Sequence, residues 1–395
     1  MTSVKTSDRV SDRGFWRNPK RRAQVTQTAL GLALLVVAYV IATNTAANLA
    51  KLNQQLSFSF LSRSAGFEIS QTLISYSSVS SYGRALMVGL ANTVLVAVLG
   101  IIAATVLGFA VGIMRLSKNW IVSRVALAYI DFFRNIPLLL QVFVWYSVVV
   151  VQSLPSPREA WNFFGYAYAS NRGVMIPSLS IASGGAALAW ALLSIAIAGM
   201  AVGILLIRAP RDAGVASKKR LRVVLLILTT AAFLILIVGH PFDLAAPTKT
   251  AFSFSGGITI IPELIALLFA LSVYMATYIA EAVRAGVMAV NRGQTEAAAA
   301  LGIGPFTTTR LIIIPQAMRI IIPPLSTTYL GLIKNSSLAV AIGYPDLVAT
   351  GGTILNQTGK AIEIVTLWML VYLSLSLVTS VLMNWFNANS KLVER

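Results

Sequence analysis

Eight runs of mainly apolar residues recur along the chain, at positions 28–45, 86–114, 136–153, 179–207, 223–239, 262–289, 320–344 and 362–386. About 20 such residues suffice for a helix to cross the ~30 Å hydrocarbon layer. Lipid offers the backbone no water, so each run must satisfy its own amides and carbonyls as a helix. The expected fold is an all-α polytopic membrane protein with about eight transmembrane helices. Composition agrees, with 57% hydrophobic and 11% charged residues, against about 25% charged in soluble domains. So few charges cannot clothe 395 residues in a water-soluble surface.

The formal charge of +18 would point to nucleic acid in a soluble protein. Here it reads as topology, because short inner loops collect Lys and Arg. With the N-terminus inside, 23 of the 31 basic residues fall in inner segments, seven fall outside, and Lys334 lies within a run. The inner clusters include Arg17 to Arg22, Arg115 to Arg134, Lys218 to Arg222, and Arg292 with Arg310. Both termini are therefore expected in the cytoplasm. The long basic leader favours a retained first helix over a signal peptide cleaved near Thr45-Ala46-Ala47.

There is no cysteine, and His240 is the single histidine. Disulfides, thiolate metal sites and a cysteine nucleophile are excluded. No metal site and no catalytic residue are expected. Between the third and fourth runs, Leu154 to Pro177 carries Trp161, Phe163, Phe164, Tyr166 and Tyr168. Aromatics of this kind suit an interfacial stretch; the alternative is a surface that receives a partner outside the cell membrane.

The inner segment after the sixth run differs from an ordinary connection. Thr295 is a candidate N-cap, and Glu-Ala-Ala-Ala-Ala-Leu (296–301) favours helix. Gly302 ends it and Pro305 blocks continuation. A short helix over 294–302, parallel to the membrane, is expected. Its alanine face admits close approach of another surface; a plain stalk between spans is the other reading.

Glu296-Ala297-Ala298, then Gly302, then Ile312-Ile313-Ile314-Pro315 resembles the signature of ABC importer permeases, with Ile314 where leucine is usual. Three further stretches resemble the amino-acid branch of that family: Phe133-Arg134-Asn135-Ile136-Pro137 with Gln141, Tyr278-Ile279-Ala280-Glu281 with Arg284, and Leu332-Ile333-Lys334-Asn335-Ser336-Ser337 with Tyr344-Pro345-Asp346. The resemblance implies a type I (MetI-like) permease core with an inserted pair of helices, in a bacterial inner membrane. Residues 1–84 would hold the tail, first helix and outer loop, and 154–261 the insertion. The core would come from 85–153 and 262–390. Chain length most resembles the larger permease of general L-amino-acid importers.

By resemblance, the chain forms the path for L-amino acids delivered by a periplasmic or extracytoplasmic binding protein. A P-loop needs Gly, four residues, then Gly-Lys-Ser/Thr. The nearest stretch, Gly359-Lys360-Ala361, lacks the hydroxyl and the earlier glycine. ATP and Mg are therefore expected on a separate ATPase dimer, with no cofactor in this chain. The resemblance assigns the ATPase contact to the 294–302 helix, through Gln294, Glu296, Ala297, Ala298, Leu301 and Gly302. A second permease subunit, related or identical, would complete the path.

Polar groups at membrane depth are costly and usually functional. Lys334 with Asn335, Ser336 and Ser337 is the main cluster, and Pro323 and Pro324 before it suggest irregular backbone. Lys334 is read either as a pathway group near the substrate carboxylate or as a buried lysine paired with Glu281 or a backbone carbonyl. Glu281 and Arg284 are spaced as an i,i+3 pair. Asn92 and Gln141 either line the path or tie helices together. An ion-coupled secondary amino-acid transporter is the competing class. It would need internal repeats and buried acids, and Glu281 is the one clear in-span acid.

Overall fold

The computed structural model describes residues 19–51, 56–182, 185–208, 215–239, 242–250 and 254–389. Most of the basic leader, His240, Lys391 and Arg395 lie outside these. Helix α1 (Pro19–Lys51) carries exposed Leu34, Leu35 and Val36, as a lipid-facing span should. Helix α2 (Tyr82–Arg115) starts on Ser81, whose side chain accepts from the Arg84 amide.

Two helices not foreseen as a unit follow. Helix α3 (Trp120–Asn135) is amphipathic and capped by Asn119. After a break at Ile136-Pro137, α4 (Leu138–Phe143) runs into a π-helical stretch, Val144–Gln152. The two limbs meet at 100°. Proline at 137 forces the residue before it out of the helical region, and Ile136 is accordingly extended, at ψ 128°. The third span is thus the second limb of a bent pair.

Helices α5 (Ala186–Arg208) and α6 (Val215–Val238) lie antiparallel, with Gly199 beside Leu225 and Gly239 beside Leu188. Helix α7 (Pro262–Met288) is the most buried span. Helices α8 (Arg292–Ala300) and α9 (Pro305–Thr308) precede a π-turn, Thr309–Ile313, and helix α10 (Ile314–Asn335). A 3-10 stretch, Ser336–Ile342, links to α11 (Leu347–Thr358) and α12 (Ala361–Asn389).

Among the described residues, six helices are long and apolar enough to cross a membrane, or seven with the bent pair. Of the expected fifth span, the described residues of α6 give the apolar helix Val223–Ile235. Lys218, Lys219, Arg220 and Arg222 fill the first turns of α6.

The core forms where α2 meets α7. A Cβ on Gly108 would lie 2.5 Å from the Ile279 Cβ, and one on Gly112 would lie 2.8 Å from the Val283 Cβ. Lipid supplies no hydrophobic drive between helices, so close packing through small residues must hold them. Val96, Leu138, Val142, Leu267, Leu271 and Tyr344 fill the half around the start of α7, and Met275, Ile279, Val283, Ile321 and Leu332 the half around its end.

The chain is mainly helical, but the segments flanking α5 and α6 are not. Strands β1 (Trp161–Phe163), β2 (Ala167–Ser170), β3 (Gly173–Ile176) and β8 (Ile258–Ile260) form one antiparallel sheet. Inside it, β4 (Ser178–Ile181) pairs with β5 (Phe242–Ala245), and β6 (Thr248–Lys249) with β7 (Phe254–Ser255). The segment carrying α5 and α6 thus leaves and returns through nested strand pairs. Outside the lipid, short non-helical segments still need backbone partners, and neighbouring strands supply them.

Candidate functional site

Helix α8 is built by its ends. Asn291, not Thr295, is the N-cap: its Oδ1 accepts from the Gly293 amide at 2.8 Å. The cap therefore lies four residues before the expected one, and Thr295 lies within the helix. A residue before the periodic run captured the free amides first. At the far end Gly302 has φ +70. Its amide donates to the Ala299 carbonyl, and that of Ile303 to the Ala298 carbonyl, both at 3.0 Å. This is a Schellman closure, which glycine accepts without a Cβ penalty.

Ala298 alone in α8 is buried; Gln294, Glu296, Ala297, Ala299 and Ala300 are exposed. Gln316 Nε2 donates to Gln294 Oε1 at 3.3 Å, tying α8 to α10. Leu301 and Phe306 stand 78% and 77% exposed beside it. The result is a short rigid helix with small side chains and two apolar shoulders. The π-turn at Thr309–Ile313 lies just before Pro315, whose ring and missing amide rule out a regular i→i−4 bond.

The polar candidates in the spans separate into two sets. Asn92 is fully buried, and its Nδ2 donates to the Gln71 carbonyl at 2.9 Å and the Pro345 carbonyl at 2.8 Å. Gln141 Nε2 donates to the Phe133 and Ile136 carbonyls at 2.7 and 2.9 Å, stapling the bend between α3 and α4. Ser336 and Ser337 bond the Ile333 and Lys334 carbonyls. These side chains are occupied holding backbone. Asn335 is half-buried.

Lys334 is exposed, not buried, and Glu281 is held by Arg284 at 3.0 Å instead. The expected Lys334–Glu281 pair is therefore corrected: the i,i+3 neighbour on α7 reaches the carboxylate first. The α10 helix also continues through Pro323 and Pro324, both exposed. The irregular backbone comes later, at the 3-10 stretch and left-handed Gly343, φ +76.

Near Glu281 the structure adds Tyr274 to the motif residues Tyr278, Arg284 and Arg134. Tyr274 and Tyr278 share a hydroxyl contact at 2.9 Å, and the Arg134 guanidinium sits 4.9 Å from the Tyr278 ring centre. Arg134 comes from the last turn of α3. Arg134 is exposed, while Glu281, Arg284 and the two tyrosines are half-buried along α7. Such a set can bind both ends of a zwitterion.

A second unforeseen centre is Asp346, in the link before α11. It is 1% exposed. Oδ1 accepts from the Ala349 amide at 2.8 Å and caps α11, while Oδ2 is buried without a hydrogen bond. Burial pushes its carboxyl up to about 7. The Leu347 amide donates to Thr93 Oγ1 at 3.0 Å, so the link is clipped to α2. Beside it opens a cleft of about 480 Å³, lined by Glu68, Ser70, Pro345, Thr350 and Asn356 among others.

Residues 180–391 match a protein family described as binding-protein-dependent transport system inner membrane component. Over 98% of this chain and 96% of the relative, it is 46% identical to the general L-amino acid transport system permease protein AapQ of Rhizobium johnstonii. The putative amino-acid ABC transporter permease protein YhdX of Escherichia coli K12 is 43% identical, over 96% of both chains. The glutamate/glutamine/aspartate/asparagine transport system permease protein BztB of Rhodobacter capsulatus is 39% identical, over 95% of both.

Proposed function

The chain belongs to the family of binding-protein-dependent transport system inner membrane components, and we propose that it is the membrane-spanning subunit of an ATP-driven ABC importer of L-amino acids, coupled to its ATPase through α8. The observation that carries this is α8 itself. It is a nine-residue helix capped at both ends and held to α10, yet exposed at every residue but Ala298. A rigid element of this kind passes rigid-body motion to the spans it joins.

In this reading ATP and Mg reside on a separate ATPase dimer. Its cleft receives Ala297, Ala299 and Ala300, with Leu301 and Phe306 at the rim and Glu296 offering a charge-assisted contact. The lateral partner is a related permease chain, and both termini face the cytoplasm. The amino acid arrives from an extracytoplasmic binding protein. Along the path, Glu281, Arg284 and Arg134 with the two tyrosines supply charges of both signs. Lys334 supplies a further cation on α10. Asn92, Gln141, Ser336 and Ser337 hold the helices that frame the path.

The test is transport by purified subunits in proteoliposomes. Uptake of several L-amino acids should require internal ATP, the ATPase subunit and an external binding protein. Uptake driven by an ion gradient without ATP would instead make the chain a secondary transporter.

A further inference from the structure

Glycine at position 89 lets the non-helical link Gly343 to Asp346 and the start of α11 lie directly on α2. A Cβ on Gly89 would stand 2.8 Å from the Asp346 carbonyl oxygen and 3.0 Å from Thr350 Oγ1. Asn92 and Thr93 come three and four residues later, on the same helix face. Thr93 Oγ1 accepts from the Leu347 amide at 3.0 Å. Asn92 Nδ2 donates to the Pro345 carbonyl and to the Gln71 carbonyl. One turn of α2 thus collects the loop that precedes it, the link, and the first turn of α11.

Four buried side-chain oxygens of these segments have no hydrogen-bond partner in the chain: Gln71 Oε1, Asn92 Oδ1, Asp346 Oδ2 and Thr350 Oγ1. Buried polar atoms are nearly always paired, and each orphan costs about 1–3 kcal/mol. What is short here is positive charge or donors. The Asn92 amide hydrogens already go to two carbonyls, and the two orphaned amide oxygens can only accept. A proton on Asp346 would neutralise that carboxyl and leave both amide oxygens as they are. Among the described residues, the groups that act on Asp346 are Tyr344, Tyr372 and backbone amides, with no lysine or arginine. The cleft of about 480 Å³ beside the link is lined by Pro345, Thr350 and Glu68, and by no basic residue.

We propose that this junction binds one small monovalent cation of the sodium or potassium kind, held between α2 and the link before α11. Every orphan is a hard oxygen, the ligand type that such ions take. One carboxylate balances one positive charge, whereas calcium sites gain affinity by gathering several. Asp346 Oδ1 already answers the Ala349 amide at the start of α11, which leaves Oδ2 for the ion. Asn92 and Thr350 supply neutral oxygens from α2 and α11, and Gln71 one from the loop. The ion would pin the link to α2, where backbone outside a helix most needs partners. The site is independent of what drives transport.

The experiment uses the full chain purified in detergent at pH 8, in N-methylglucamine chloride. Sodium chloride or potassium chloride then replaces that salt at constant ionic strength. One of the two should raise the melting temperature saturably, and radioactive sodium, or rubidium standing in for potassium, should bind once per chain. Asp346→Asn keeps an acceptor for the Ala349 amide and should abolish the response. Thr350→Val removes an oxygen that has no partner in the chain, so it should fold as well as the wild type without the ion. As a ligand, its loss should raise the half-saturating cation concentration by about ten-fold or more. A response that persists unchanged in both variants is a general salt effect and overturns the proposal. So does a wild type that ignores both salts, which would leave the oxygens to buried water. A response to calcium chloride alone overturns the monovalent assignment.

Discussion

The amide of Ile303 donates to the carbonyl of Ala298 at 3.0 Å, closing α8 across Gly302. That closure holds the helix end rigid at the place where the ATPase would press. Gly302→Ala should strain the turn by about 1 kcal/mol, since φ +70 resists any Cβ although space is open around it. Gly302→Asp should be worse, because it adds charge and bulk to a surface meant for close approach. Ala297→Arg should act similarly, and Glu296→Gln more mildly. Co-purification of the ATPase and substrate-stimulated turnover measure this. Full coupling in Gly302→Asp would make α8 an ordinary connector.

Topology has a clean assay, because the chain has no cysteine. Single cysteines at exposed Glu159 and exposed Leu301 should differ in reach from outside. A membrane-impermeant thiol reagent on intact cells should label Glu159→Cys only. After permeabilisation both should react. The reverse pattern would invert the charge-based orientation.

Asp346 should give stability a pH dependence. Its folded-state carboxyl lies near 7 rather than at the usual 3.8, because burial disfavours the charge. The folded chain therefore holds this proton more tightly than the unfolded chain. Its contribution is greatest below about pH 4 and falls as pH rises towards about 7. Thermal unfolding in detergent should show lower stability at pH 8 than at pH 5. Asp346→Asn keeps an acceptor for the Ala349 amide and should flatten the slope. A slope that persists in Asp346→Asn would assign it to another group.

What sequence revealed and what it hid follow from how each feature is encoded. Spans are written as contiguous apolar runs, and α8 as a helix-forming run ended by Gly302, so both were legible. Helix α3 spreads its apolar residues over one face, with buried Ala126 and Ile130 between polar positions, and a search for runs passes over it. The outer sheet depends on pairings between residues some 85 positions apart, such as Met175 with Thr259. No local pattern specifies that. For Lys334 the sequence left open a pathway group and a buried pair, because an apolar run does not tell which helix face meets a neighbour; the side chain is exposed. Asp346 looked like one residue of a motif. Its burial is created by α2, through Gly89, Asn92 and Thr93.

The polar residues of the spans should sort into two phenotypes. Gln141 is 4% exposed and supplies donors to two carbonyls at the α3–α4 bend. Gln141→Leu leaves both without that donor, at about 1–3 kcal/mol per buried group. It should lower the melting temperature, and any activity that survives should keep the wild-type KM. Lys334 is exposed in the isolated chain, so Lys334→Met should leave the melting temperature unchanged. If it meets the substrate carboxylate, the KM for uptake should rise. Glu281→Gln lies between these cases, because its pair with Arg284 is partly exposed and worth at most about 1 kcal/mol. Its stability should barely move, whereas loss of the negative charge one turn from Tyr278 on α7 should weaken retention of the substrate ammonium. Melting curves and uptake kinetics on the same preparations separate the two classes. A Lys334→Met variant that unfolds early with normal KM would reverse the assignment and make Lys334 a residue that holds the bundle together.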